Sequence, residues 1–405
     1  MAYVRILLVN TVASLGSTGK ICMDLYKSLK DAGHEVCIAY GRGSLSKNFK
    51  QYKIENRFGM YKHVLESRIF DNTGLSSKKA TKKFISFIKN YNPDIIHLHN
   101  LHGYYLNYPI LFDFIKRNDY KTIWTLHDCW PFSPHSAFFD FDNKNYKFVT
   151  RKELKEYPKT WGLNRSNRNF DLKKRNLTNV KKLYLVTPSK WLANGVEKSF
   201  LKSYPLTIIN NGVDRKIFFK DKSYACDNKK MILGVANIWD DRKGLNFFLE
   251  LAKKIDTSYK IVLVGKINKN NRILAKQFTN IKIIEQTKDQ KELASIYRKA
   301  YVFINPTLKD NFPTTNLEAI SCGTPVITFD TGGSSEIITK STGIISEEKN
   351  AEAILYGIKT IEEKYRIGDF KELGENRYKF SKEMMTDEYL NLYRKVIRDE
   401  KNTTP

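Results

Sequence analysis

Apolar residues gather along the chain into short unbroken runs, separated by longer stretches where they recur every three or four positions. Residues 4–10 (VRILLVN) are the first run and read as a strand buried on both faces. Ile21, Leu25 and Leu29 follow at helical spacing over 21–30, a stop comes at Gly33, and EVCIAYG (35–41) is the next strand. This β-loop-α-β opening predicts a doubly wound α/β fold. Helices are expected over 60–70 and 82–91, and DIIHLHN (94–100) and TIWTLHD (122–128) are further buried strands, each ending in a histidine within a polar tip. From 129 to 168 the period fails and aromatic and basic residues dominate, which predicts an insertion or mobile loop. A basic helix and the strand LYLVTPS (183–189) come next, and TIINNGVD (207–214) closes the first array.

After a polar linker over 216–229 the alternation restarts with MILGVA, a helix over 243–255, KIVLVG, a helix, IKIIEQ, a helix over 290–300 and YVFINP. The stretch DNFPTTNLEAISCGTPVITFDTGG (310–333) then reads as loop, short helix, glycine stop and strand. Residues 380–398 are helical, with Met384, Tyr389, Leu392 and Val396 on one side. Two successive βα arrays predict two Rossmann-like domains, 1–209 and 210–381, with a terminal helix (382–405) returning to the first.

Composition narrows the functional classes. A chain of 405 residues is too long for one ordinary core. No run of 18 apolar residues and no leader-like start is present, so residence in the cytoplasm is expected. Cys22, Cys37, Cys129, Cys226 and Cys322 lack metal-site spacing and read as reduced, buried thiols. The net charge is +26, and residues 144–190 hold 14 Lys or Arg against 3 acids. Part of that excess is an ordinary solvated face. Its interleaving with Tyr157, Trp161 and Phe170 points to an anionic membrane surface, the inner leaflet of the cytoplasmic membrane, as a peripheral partner.

Candidate chemistry sits at the strand ends. Gly16-Ser17-Thr18-Gly19 lies between a strand and a helix, where backbone N–H groups favour anions, although glycines there often serve geometry alone. Arg242-Lys243-Gly244 opens the helix after the second array's first strand. Cations are disfavoured at a helix N-terminus, so two side by side suggest a clamp for a diphosphate. Glu318, in the short helix, is placed to accept the hydroxyls of a ribose, and would otherwise be a surface carboxylate. Asp310 is either a ligand contact or turn chemistry. His99 and His127 end buried strands, where a ring can donate to a sugar hydroxyl. Asp140 and Asp142 form a DxD that follows no strand and reads as coincidence.

GSTGK, TLHD, TPSKWL, NNGVD, RKG, LVG and above all DNFPTTNLEAISCGTPVI closely resemble family 4 of the retaining GT-B glycosyltransferases, in the branch of capsule, O-antigen and colanic-acid enzymes. The resemblance covers most of the chain. It implies a nucleotide-sugar-binding second domain, an acceptor-binding first domain and an active site in the cleft between them. By position, Arg242 and Lys243 would hold the donor diphosphate, Glu318 the ribose and Asp310 the sugar. Asp310 stands where the family's Glu-x7-Glu has its first, longer Glu. Phe312, Pro313, Thr314 and Thr315 would offer backbone N–H groups, while Gly16 and Gly19 would face the diphosphate. His127 would lie near the reacting sugar, with His99 and Asp128 on the acceptor side. The implied partners are a UDP- or GDP-sugar and a glycan or lipid-linked oligosaccharide acceptor, with no nucleic acid, no metal and no further cofactor. Two other readings stay open: a non-catalytic nucleotide-sugar-binding subunit, favoured by the short acid at 310, and a nucleic-acid binder, suggested by charge alone.

Overall fold

The computed structural model describes residues 3–138, 141, 149–221, 230–368, 370, 373 and 379–398. The chain divides into two compact units, Met1–Ile209 with Thr386–Pro405, and Asn210–Met385.

The first unit runs β1 (Arg5–Val12), α1 (Gly16–Asp31), β2 (Glu35–Arg42), β3 (Gln51–Lys53), α2 (Arg57–Phe70), α3 (Lys78–Tyr91) and β4 (Ile95–Leu98). It continues with α4 (Tyr108–Arg117), β5 (Thr122–Thr125), α5 (Ser166–Leu177), β6 (Leu183–Thr187), α6 (Lys190–Glu197) and β7 (Leu206–Ile208). The strands form one sheet, ordered β3-β2-β1-β4-β5-β6-β7, and each described pairing is parallel. Strands buried on both faces need covering on both, which is why their apolar runs are continuous rather than alternating. On one side Leu7, Val9, Ile96, Leu98, Trp124 and Leu185 pack with Phe84, Ile88, Leu111, Phe112 and Leu192 of the helices.

The second unit comprises β8 (Lys230–Trp239), α7 (Leu245–Lys254), β9 (Tyr259–Ile267), α8 (Lys269–Ala275), β10 (Ile281–Ile284), α9 (Gln290–Lys299) and β11 (Val302–Asn305). Beyond these come α10 (Thr314–Ser321), β12 (Val326–Phe329), β13 (Gly343–Ser346) and α11 (Ala351–Ile367). The sheet order is β10-β9-β8-β11-β12-β13, again with parallel pairings. Alternate residues feed two cores. Ile232, Leu263, Ile304 and Ile327 meet Phe248, Leu251 and Ile354 on one face, while Leu233, Val262, Phe303 and Val326 meet Tyr297, Leu317 and Ile320 on the other.

Both sheets reverse their strand order once, between β1 and β4 and between β8 and β11. Such a reversal opens a crevice beyond the strands' carboxyl ends, where ligands of open α/β sheets bind. The terminal helix α12 (Lys382–Arg398) supplies Tyr389 and Tyr393 to the first unit. The Tyr393 hydroxyl lies 2.6 Å from Nδ1 of His97, and that of Tyr389 lies 2.9 Å from Oγ1 of Thr125.

Three expectations are corrected. The glycine-rich segment is not a loop before the helix: Gly16 to Gly19 form the first turn of α1, with Gly16 at φ +66° and Gly19 so close to Ser14 that a Cβ would lie 2.7 Å from its carbonyl carbon. Arg242 and Lys243 are not in a helix; α7 begins at Leu245, because Gly244 takes φ +77° and turns the chain first. The segment after 128 is not a mobile insertion throughout: Cys129, Trp130, Phe132 and Ala137 are core residues. Their backbone is satisfied internally, the buried Lys173 ammonium donating to the carbonyls of Trp130 (2.7 Å) and Ser133 (2.9 Å). Of the three aromatics read as interfacial, Tyr157 and Phe170 are partly buried, with Tyr157 donating to His102 O and Phe170 packing on Phe200. Trp161 is exposed.

Candidate functional site

In the second unit the chemistry collects at the β8/β11 reversal. The turn leaving β8 is closed by Lys243 N donating to Asp240 O and Oδ1, and by Gly244 N donating to Asp241 O. A Cβ on Gly244 would lie 2.2 Å from Pro306 O, so the glycine lets this turn rest against the segment leaving β11. The Arg242 guanidinium donates to Lys309 O (2.9 Å), and Leu308 N donates to Arg242 O (2.8 Å). These bonds carry the Lys243 ammonium to 2.5 Å from Asp310 Oδ2, with about a fifth of each side chain exposed. Asp310 Oδ1 accepts from Asn311 N, and its carbonyl accepts from Gly333 N.

Arg242, Lys243, Asp310 and Glu318 all belong to the second unit, and the first acid pairs with the second cation. Glu318 is not a surface carboxylate. It is 6% exposed on α10, and the buried Tyr297 hydroxyl donates to its Oε2 at 3.2 Å. Burial raises the Tyr297 pKa well above its ordinary value, so this hydroxyl remains a donor. Phe312 is buried, and its carbonyl accepts from Asn211. Pro313 occupies the N-cap of α10 without a side-chain cap, and Thr314 and Thr315, half-buried, form its first turn. The first N–H groups of a helix have no partner within it, so an uncapped start suits an anion.

In the first unit, Gly16, Gly19 and His99 lie just beyond β1 and β4, the strands that flank the reversal. Histidines here form a chain. His97 bonds Thr125 Oγ1 (2.8 Å) as well as Tyr393, and Nδ1 of His99 lies 2.9 Å from Nε2 of His127. Burial lowers the His127 pKa to about 4, against a raising influence from Asp128. Burial likewise holds His99 well below its ordinary value. Both rings are neutral at neutral pH, and a neutral ring can donate from one nitrogen while accepting at the other. Nε2 of His99 is buried without a partner. Asp128 is buried and fully engaged: Oδ2 is 2.6 Å from His102 Nε2, and Oδ1 accepts from Trp130 N. Its visible work is to fix the turn after β5.

Sequence reasoning missed His97, His102 and Tyr297. All three are buried, His97 in β4, Tyr297 in α9 and His102 in the segment between β4 and α4, and they meet His99, Glu318 and Asp128 respectively. The place of His97 inside the continuously buried run DIIHLHN carried a signal for it; none marked Tyr297. Asp140 and Asp142 lie outside the described residues. Among the described residues, no group of three or more His, Cys, Asp or Glu is placed to hold a metal ion. Cys22, Cys37, Cys129 and Cys322 are buried and unbridged; Cys226 is not described. No described helix is long and apolar enough to cross a membrane.

Two family models together account for most of the chain: Glycosyltransferase Family 4 matches residues 18–216 and Glycosyl transferases group 1 matches 216–380. A Campylobacter jejuni N,N'-diacetylbacillosaminyl-diphospho-undecaprenol alpha-1,3-N-acetylgalactosaminyltransferase is 25% identical over 46% of this chain and 49% of its own length. The chain thus spans about half the length of that relative. The putative colanic acid biosynthesis glycosyl transferase WcaC of Escherichia coli is 22% identical over 97% of this chain and 100% of its own. Among solved structures, HepE of Anabaena in complex with UDP superposes with a TM-score of 0.66 at 11% identity, over 96% of this chain and 100% of that one. A likeness at that identity shows the GT-B fold.

Proposed function

Since the chain belongs to the family 4 glycosyltransferases of GT-B fold, we propose that it transfers a sugar from a UDP- or GDP-sugar to a growing surface glycan on a polyprenyl-diphosphate carrier, with retention and without a metal. The observation that carries this reading is the Lys243–Asp310 pair at the β8/β11 reversal, beside the uncapped start of α10 and the buried Glu318. Departure of a nucleoside diphosphate concentrates negative charge on its oxygens, and preorganised cations and helix N–H groups stabilise that charge most when it is greatest. Lys243 and Arg242 bind the diphosphate, with Lys243 passing from Asp310 to a phosphate oxygen. The freed Asp310 takes sugar hydroxyls, Glu318 takes the ribose, and neutral His127 donates to the reacting sugar. The bond from the anomeric carbon to the diphosphate breaks as the bond to the acceptor oxygen forms on the same face, and the acceptor's hydroxyl proton passes to the departing diphosphate oxygen.

The UDP bound by the Anabaena protein supports a uridine donor, and the diphospho-undecaprenol in the Campylobacter enzyme's name supports a lipid-linked acceptor. An acceptor of that kind places the protein at the anionic inner face of the cytoplasmic membrane. In the assay, UDP- and GDP-sugars are screened by thermal shift, since a ligand that binds only the native state raises Tm, and donor hydrolysis is followed for the one that binds. Lys243→Ala should lower turnover by at least ~100-fold with Tm unchanged; near-normal turnover would sink the proposal. Chelation should leave the rate unaltered.

A second reading, a non-catalytic nucleotide-sugar-binding subunit, is favoured by Asp310, which is short and already paired with Lys243. It predicts a donor-dependent Tm shift with no hydrolysis and no transfer to any glycan.

A further inference from the structure

Helix α2 is turned inside out. Its buried residues are His63 and Ser67, with His63 bonded to Ser77 Oγ (2.9 Å) and accepting from Gly74 N. Its exposed side carries Phe58 (81% exposed), Tyr61 (68%), Leu65 (56%) and Ile69 (40%). At the helical repeat these four fall within roughly 80° of one another. The stripe does not end with the helix. Trp161 N and Gly162 N donate to Arg68 O and Leu163 N to Ile69 O, which seats the exposed Trp161 and Leu163 at its C-terminal end. The Arg68 guanidinium lies 5.4 Å from the Trp161 ring.

Beside the stripe a cavity of about 1140 Å³ is lined by Lys62, Lys78, Lys79, Lys82, Lys83 and Arg168. The acids on its wall are Glu55 and Glu66, which accept from Asn56 N and Ser76 Oγ; Glu66 also pairs with Lys62 at 3.9 Å, which leaves the excess of positive charge to the α3 lysines and Arg168. The first turn of α3 contains no acid. A continuous apolar stripe of this size marks an interaction surface. A row of lysines next to it selects an anionic partner, and rings and aliphatic chains beside cations are what a bilayer's headgroup boundary accommodates.

We infer that the α2 stripe with Trp161 and Leu163, flanked by the α3 lysines, is the face by which this protein lies on an anionic membrane surface. The stripe enters the acyl boundary while the lysines stay at the level of the headgroups. The inference deepens the membrane part of the function proposed above, but it replaces the 144–190 segment as a whole with a surface built mainly on α2 and α3.

The test is co-sedimentation of the full chain with vesicles of phosphatidylcholine alone and of phosphatidylcholine mixed with phosphatidylglycerol. Binding is expected only to the mixed vesicles and should weaken with added salt. F58S/Y61S/L65S should reduce it at least ~tenfold, and Lys→Gln changes at 78, 79, 82 and 83 by roughly fivefold each at low salt. Wild type that fails to bind, or a triple variant that binds as well as wild type, overturns the inference. So does a wild-type dimer in size exclusion that F58S/Y61S/L65S converts to monomer with vesicle binding unchanged, since the stripe then meets a second copy. Donor-induced thermal shift is measured on wild type and every variant in solution. In wild type, a donor shift without vesicle binding removes the membrane face and leaves the donor site standing; in the stripe and lysine variants, a donor shift kept while vesicle binding falls is the expected result, and its absence from every form removes the donor reading alone.

Discussion

Lys243 and Asp310 neutralise each other, so under the proposed function a nucleoside diphosphate would compete with the protein's own carboxylate for the ammonium. Removing that competitor should strengthen anion binding while disabling the sugar contact. Asp310→Asn is expected to bind the bare nucleoside diphosphate up to roughly tenfold more tightly by calorimetry, and to transfer sugar more slowly; weaker binding would show that Asp310 organises the site rather than guarding it. The Tyr297 bond to Glu318 gives a second check, because Tyr297→Phe leaves one buried carboxylate oxygen short of a donor. It should cost about 1 kcal/mol in urea unfolding and weaken nucleotide binding, and a change in stability with binding unaltered would separate Glu318 from the ribose. The residue types of this cluster were legible from motif and spacing, but the pairing was not. Lys243 and Asp310 are 67 residues apart, and only the order of strands in the sheet brings them together.

Helix and strand interiors follow directly from the apolar pattern; the starts of α1 and α7 are set by glycine geometry, which that pattern does not encode. Gly16 and Gly244 both hold positive φ, yet the first lies inside a helix's first turn and the second stops a helix from starting early. The difference is tertiary: a Cβ at Gly16 meets nothing within 4 Å, whereas one at Gly244 strikes the Pro306 carbonyl. Gly16→Ala should therefore cost only the backbone strain, about 1 kcal/mol. Gly244→Ala should cost more and displace the Arg242-Lys243 turn, lowering donor affinity as well as Tm; equal losses for the two variants would refute this account. Residues 129–138 were illegible for another reason. A segment without period can still be buried when one side chain, Lys173, donates to carbonyls, here those of Trp130 and Ser133, that a helix or strand would have satisfied internally.

Buried imidazoles contribute one part of the whole molecule's pH response. Burial lowers His63 and His97 to about 3 from the ordinary 6.5. An unfolded chain takes up protons on these rings as pH falls below 6.5, while the folded chain does not. Their contribution to stability is thus fully present above pH 6.5 and is lost as pH falls toward about 3, on the order of a few kcal/mol per ring. Urea unfolding between these limits should show that slope, flattened in His97→Asn, and an unchanged slope would place the response elsewhere. At this scale the sequence was most readable, since two runs of alternating strand and helix imply two parallel sheets whatever their loops do. The gathering of Arg242, Lys243, Asp310 and Glu318 within the second unit has a further consequence. If these residues recognise the donor, that capacity is inherited as one contiguous stretch of coding sequence. Recombination can then exchange the sugar being transferred and leave the sheet that carries His97, His99 and His127 untouched.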